Sequence, residues 1–430
     1  MTRKKQNFSV KDFKDFSCKA EYWANQSSFF CSLHTALSKS PYGSFPRIIA
    51  VGADQILSSN KGHNFETLER YRGENKSWLF GHFSYDLKNE TENLTSSNKS
   101  HVAFPEMTFF KPRHLISITP QQITIESDQE PTKIFNQIKS IPLPSSIEKF
   151  NCELICDTSK EEYIHTVDKL RRHIIEGDIY EINYCINYLA KIEILDPVFL
   201  FHKLVDLSPN PFSAFYKLNR KYALCASPER FLKKIGRKIV SQPIKGTAPR
   251  GRSERQDLML KKNLLASEKE RAENMMIVDL VRNDLARSCK AGSIEVEEMF
   301  GIYSFPQLHQ MISTISGELG DNKTSIDAIK NAFPMGSMTG APKIKVMELI
   351  ENYEQTARSL FSGSVGYFTP NDDFDFNVMI RSLFLDTEQK AISFSVGSAI
   401  TFDSNPEKEY EECQLKAGAI RFLISSKNNN

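Results

Sequence analysis

The chain has 430 residues and carries 55 Lys and Arg against 53 Asp and Glu, a formal net charge of +2. Such a balance gives no electrostatic footprint for nucleic acid or an acidic membrane surface, and no apolar run approaches the length that spans a bilayer. The length exceeds one simple core and implies two or three domain-sized units or one large interleaved domain.

The basic opening Met1-Thr2-Arg3-Lys4-Lys5 is followed by no apolar run, so it does not read as a secretory signal. The eight cysteines are scattered singly. Cys152 and Cys156 lie four apart, but no second pair or histidine completes a zinc site. Free buried thiols in a reducing cytoplasm are the expectation. In chain order, residues to about 150 read as strands and loops. Arg47 to Gly52 is a short apolar run, Trp78 to Tyr85 an aromatic strand, and His114 to Ser127 a hairpin turned at Pro120. Asn89 to Ser100 reads as an exposed loop and Pro142 to Ser146 as a connector.

A helix opens at Ser159, where Glu162 completes a capping box, and ends at Gly177. Strand-like segments follow at Ile179 to Ala190, Ala214 to Ala226 and Lys238 to Lys245. One long helical stretch is expected from about Ser253 to Cys289, and another helix starts near Pro342. Ser362 to Asp403 reads as an antiparallel meander. A last helix, capped by Asn405, runs from Pro406 to about Ile424, and the tail from Lys427 is expected to be disordered. Strands in hairpins and helices in blocks predict an α+β fold, antiparallel sheets packed with outer helices.

Four constellations have chemical potential. Glu270 with Glu273, and Glu409 with Glu412, are pairs spaced three apart on helices, so each pair shares a face. Brought together they would offer the all-oxygen ligands that suit Mg²⁺. The same spacing also describes two ordinary solvated helix faces. The turn Gly336-Ser337-Met338-Thr339-Gly340-Ala341-Pro342-Lys343 leads into a helix and could receive an anion at free N–H groups; a capped turn is the alternative. Lys245, between Ile244 and Gly246 at a strand end, becomes nucleophilic if desolvation lowers its pKa, although strand-end lysines are usually solvated. His309 stands alone in an apolar strand, where histidines are more often structural.

Taken together these segments resemble the chorismate-utilising enzymes, a family that includes anthranilate, aminodeoxychorismate, isochorismate and salicylate synthases. The likeness runs from about Ser159 to Gly418. It rests on Glu176-Gly177-Asp178-Ile179-Tyr180, Ser227-Pro228-Glu229-Arg230-Phe231, Pro243-Ile244-Lys245-Gly246-Thr247, Arg271-Ala272-Glu273-Asn274, the Gly336 to Lys343 turn, Gly397-Ser398-Ala399-Ile400 and the Glu409 to Glu412 helix. Ser398 and Ala399 depart from the family's usual Gly-Ala-Gly-Ile. The resemblance implies a catalytic domain over residues 151–426 and an N-terminal mixed region over 1–150, interleaved with it.

It also implies roles. The residue matching Lys245 is alanine in anthranilate synthases and lysine in aminodeoxychorismate synthases, which implies amination of chorismate at C4 with Lys245 as covalent nucleophile. Water-using relatives carry a general-base lysine where this chain has Glu181. Glu229 becomes the acid for the C4 hydroxyl, and Mg²⁺ is held by Glu273 and Glu412, with Glu270 and Glu409 acting through water. By the same resemblance, Tyr367, Arg381 and the Gly397 backbone hold the enolpyruvyl carboxylate, Thr339 and Gly340 line the ring site, and His309 lies near the C4 oxygen. Gly336, Ser337 and Lys343 belong to the substrate turn. No cysteine has glycine two places before it, as a glutaminase nucleophile would, so a separate glutamine amidotransferase subunit is the expected source of ammonia.

Overall fold

Side-chain caps set the helix starts. Ser159 Oγ accepts from the Glu162 N–H at 3.2 Å, and Glu162 accepts from the Ser159 N–H at 2.8 Å. The helix Lys160–Ile175 follows, and Gly177 leaves it at φ +86°. Asn405 caps the last helix, Pro406–Ile424, by accepting from the Lys408 N–H at 3.0 Å. This computed structural model describes residues 3–35, 42–58, 62–144, 152–192 and 196–424. Part of the expected connector at 142–146, and the whole of the tail from Lys427, lie outside them.

The long helix expected after Ser253 is two helices, Glu254–Ala266 and Glu268–Ala286. Ser267 separates them in an extended conformation, and its hydroxyl accepts from the Glu270 N–H. A serine inside a polar run supplies an N-cap as readily as a helical position, and the break starts the helix that carries Glu270 and Glu273.

Among the described residues every strand pairing is antiparallel. The strand Met107–Ile118 joins two wings, pairing with Ile48–Ser58 in one and Leu79–Phe83 in the other. The first wing continues through Phe29–His34, Phe212–Leu218, Lys221–Ser227, Ser382–Asp386 and Ala391–Ile400 to Glu181–Lys191. The second continues through Ser364–Phe368, Phe374–Asn377, Arg230–Ile235 and Lys238–Gln242 to Leu308–Glu318, which also pairs with Ile244–Pro249 and Glu295–Ser304. Strands from the first 150 residues thus pair directly with strands from the rest of the chain.

The period of two sorts the side chains. Cys31, Leu33, Ala214, Tyr216, Ala223 and Cys225 face a core shared with Phe80, Phe83, Phe109 and Phe376 of the second wing. Phe30, Phe215 and Leu224 face the opposite way, onto the helices Phe13–Ala24, Pro197–Leu207 and Pro406–Ile424. The fold is therefore α+β, with a two-sheet core and outer helices.

The meander expected over Ser362 to Asp403 is split between the wings. Its first hairpin lies in the second wing and its second hairpin in the first. Residues 378–381 cross between the sheets and end on Arg381 at φ +52°. A run of hairpins in sequence does not say which sheet each hairpin joins. Here the crossing brings Arg381 to the mouth between the wings.

Candidate active site

A cavity of about 500 Å³ opens where the wings meet the helices Glu268–Ala286 and Pro406–Ile424. Nine of the residues singled out from sequence border it: Glu229, Lys245, Glu270, Glu273, Ser337, Arg381, Gly397, Glu409 and Glu412. Each helix contributes its acidic face by the spacing of three, and the same stripe runs on into buried Ile277, Val278 and Val281 in one helix and Cys413, Ala417 and Ile420 in the other. Asn274 fixes the first helix to the strand of Lys245. Its amide donates to the Lys245 carbonyl at 3.3 Å, and its oxygen accepts from Ser313 Oγ at 2.6 Å.

Lys245 Nζ donates to Glu181 Oε1 in a close ion pair, their side chains 11% and 3% exposed. The expectation of a lowered lysine pKa is corrected here. Burial pulls it down, but Glu181 and Glu273 lie close enough to overcome burial and hold it above the usual lysine range. Glu229 goes the other way. Burial pushes its carboxyl up to about 7, against a smaller opposing effect from Ser337 and Lys245. Near neutrality one group is therefore an ammonium and the other is poised to hold a proton.

The four glutamates crowd one side of the cavity. Burial raises Glu270 and Glu409 and takes Glu273 to about 7. Burial acts the same way on Glu412, but Lys416, at 2.7 Å, overcomes it. Lys416 also donates to the Gly397 carbonyl at 2.8 Å, and Lys269 stands 3.7 Å from Glu273. Among the described residues, the one tight trio of possible ligands is His173, Glu176 and Asp178 on the surface, within 4.8 Å of one another. The glutamates are spaced more widely, as suits a cation that keeps waters between itself and some carboxylates. Their crowding and all-oxygen chemistry fit Mg²⁺.

Six expected residues do not border this cavity. His309 is 0% exposed, with Ser304 Oγ at 2.9 Å from one ring nitrogen and Asp257 at 2.9 Å from the other. Strand alternation sends its neighbour Gln310 to the cavity instead. Tyr367 packs among Trp78, Phe80 and Phe45, and the aromatic ring that reaches the cavity is Phe361. Lys343 donates to Asp284 at 2.7 Å and is held in the wall.

The glycine turn is a clamp rather than an open anion cradle. Thr339 donates to the Met335 carbonyl at 3.1 Å, and its own carbonyl accepts from the Asn183 N–H at 2.8 Å. Gly340 lies at φ +145°, where a Cβ would come within 2.0 Å of the Glu181 carbonyl. Only glycine permits that approach, and it pins the strand that presents Glu181. Gly336 borders a water-sized pocket behind Glu229, and a Cβ there would meet Leu280 at 2.5 Å.

Glu181, Gln310, Phe361, Lys269 and Lys416 were not among the site residues expected from the sequence. The two lysines were legible, each four residues from a cavity glutamate on one helix face. Gln310 was legible from alternation.

The fold of two antiparallel wings with outer helices has its counterpart in known proteins. Residues 31–421 match the chorismate binding enzyme family, and the chain belongs to it. The anthranilate synthase component I of Streptococcus pneumoniae superposes with a TM-score of 0.78 at 22% identity, covering 91% of this chain and 94% of that one. An anthranilate synthase component I-like protein of Synechocystis is 34% identical over 80% of this chain and 71% of its own length. The aminodeoxychorismate synthase of Arabidopsis thaliana is 41% identical over 61% of this chain, and component 1 of the Bacillus subtilis enzyme is 35% identical over 61%. These alignments span 29% and 55% of the two relatives' own lengths. No described helix is long and apolar enough to cross a membrane.

Proposed function

We propose that this chain aminates chorismate at C4, giving 4-amino-4-deoxychorismate on the way to para-aminobenzoate and folate. The observation that carries the reading is the shared cavity of Lys245, Glu229 and the four glutamates. A lysine amine, a carboxyl able to hold a proton and four further carboxylates stand around one volume sized for a small ligand.

Glu181 takes the Lys245 proton through their existing contact, and the neutral amine attacks ring carbon C2. The ring double bonds shift and the C4 hydroxyl departs as water with the proton of Glu229. Ammonia then adds at C4 as the Lys245 amine leaves with its proton returned from Glu181, and the new amine gives a proton back to Glu229. Two conjugate displacements replace one harder substitution. Arg381 offers a planar, two-pronged donor for a carboxylate. Mg²⁺, held by Glu273 and Glu412 with Glu270 and Glu409 acting through water, would neutralise the ring carboxylate and the charge that develops on it. Ammonia comes from a separate glutamine amidotransferase.

Likeness to anthranilate synthase component 1 of Thermococcus kodakarensis, 37% identical over 64% of this chain, favours a second reading, in which pyruvate is lost and anthranilate forms. Lys245 argues against it. Chromatography of the products from chorismate, Mg²⁺ and ammonium separates the two. Aminodeoxychorismate supports the proposal, and anthranilate with pyruvate overturns it.

A further inference from the structure

Gln310 borders the cavity on the strand Leu308–Glu318 and is 4% exposed. Its cross-strand neighbours are Thr247 on one side and Tyr303 on the other. Its Oε1 is buried and has no hydrogen-bond partner among the described residues. Buried amide oxygens are almost always paired, so an orphan beside a ligand-sized cavity calls for a ligand. The adjacent His309 cannot serve, because Ser304 and Asp257 occupy both its ring nitrogens.

We infer that Gln310 is a substrate-contacting residue whose Oε1 accepts a hydrogen bond from the substituent at C4. The inference rests on chorismate being the substrate. At neutral pH chorismate carries two carboxylates and an ether oxygen, all acceptors, and a single hydrogen-bond donor, the C4 hydroxyl. An unpaired acceptor in the wall therefore selects that group. The amine that replaces the hydroxyl is also a donor, so the same oxygen serves substrate and product. An amide does not titrate, and this contact to C4 keeps its strength across the working pH range.

The test compares the native chain with Gln310→Met, a substitution close in volume that cannot accept this bond. Binding of chorismate and of 4-deoxychorismate is measured by calorimetry with Mg²⁺ present, alongside thermal unfolding of the ligand-free proteins. The native chain should bind chorismate about tenfold more tightly than the deoxy compound. The Met variant should bind the two equally, at or above the native melting temperature, because it loses an unpaired buried oxygen. Undiminished discrimination in the variant, with chorismate bound by both proteins, overturns the role of Gln310 and leaves the amination reading standing. A native chain that binds neither compound overturns the amination reading itself. A lower melting temperature with discrimination intact assigns Gln310 to structure and overturns the inference.

Discussion

Replacing Glu229 by glutamine preserves size and removes a carboxyl that burial lifts from 4.5 to about 7. In the unfolded chain that carboxyl releases its proton near 4.5, while in the folded protein it keeps the proton until about 7. Between those values the folded state binds more protons, so stability falls as pH rises. Its neutral-form contribution is fully present below 4.5 and gone above about 7. At about 1.4 kcal/mol per pH unit, the loss is roughly 3 kcal/mol. Glutamine does not titrate, so Glu229→Gln should gain on the native chain by about that amount between acid and alkaline conditions. Urea denaturation at about pH 5 and about pH 8 measures the difference, and every other group cancels between the two proteins. The variant also has no proton to give the leaving hydroxyl, and its turnover should fall by roughly 10²–10⁴-fold. Equal stability differences at both pH values would mean that Glu229 ionises as an exposed carboxyl does, and would overturn its role as a buried acid.

Mg²⁺ added to the ligand-free protein should raise its melting temperature, since burial and crowding hold Glu270, Glu273 and Glu409 above the usual range. The rise should disappear in Glu273→Gln/Glu412→Gln, as thermal scans with and without a chelator would show. Lys245→Met strands Glu181, 3% exposed, without its partner, and should cost roughly 3 kcal/mol. Adding Glu181→Gln should recover most of that in urea denaturation, while activity stays lost. His202 Nε2 stands 2.6 Å from the buried Glu21. Burial opposes its charge, yet Glu21 holds it up to about 10. The pair's contribution is complete below the ordinary value of 6.5 and is lost as pH rises through about 10. His202→Ala should therefore destabilise the protein by about 3 kcal/mol near neutrality and by less at high pH, read from urea midpoints.

The sequence made local rules legible and left tertiary choices hidden. The caps at Ser159 and Asn405 obey rules that act within a few residues, and both helices begin where those rules put them. Glu270, Glu273, Glu409 and Glu412 were found because helical spacing alone puts each pair on one face. Ser267 escaped notice because a serine reads equally well as a helical residue or a cap. The two halves of the 364–400 hairpin run joined different wings, a choice made by distant partners. His309 and Tyr367 stand off the cavity for a related reason. A motif fixes a residue's place along the strand, while packing decides which of two faces meets the cavity. The glycine turn looked built for a ligand, yet its close approach is to the Glu181 backbone. The pKa of Lys245 was misjudged because burial was considered without the carboxylates that share the cavity.

In the proposed reaction the Lys245 amine forms a bond to the substrate ring. Incubating the protein with chorismate and Mg²⁺, without ammonia, followed by acid quench and mass spectrometry, tests it most directly. The expected result is a mass gain of chorismate less one water, located on the peptide that contains Lys245 and absent from Lys245→Met. A Lys245→Met protein that converts chorismate to aminodeoxychorismate at the native rate, with no adduct on either protein, would contradict it.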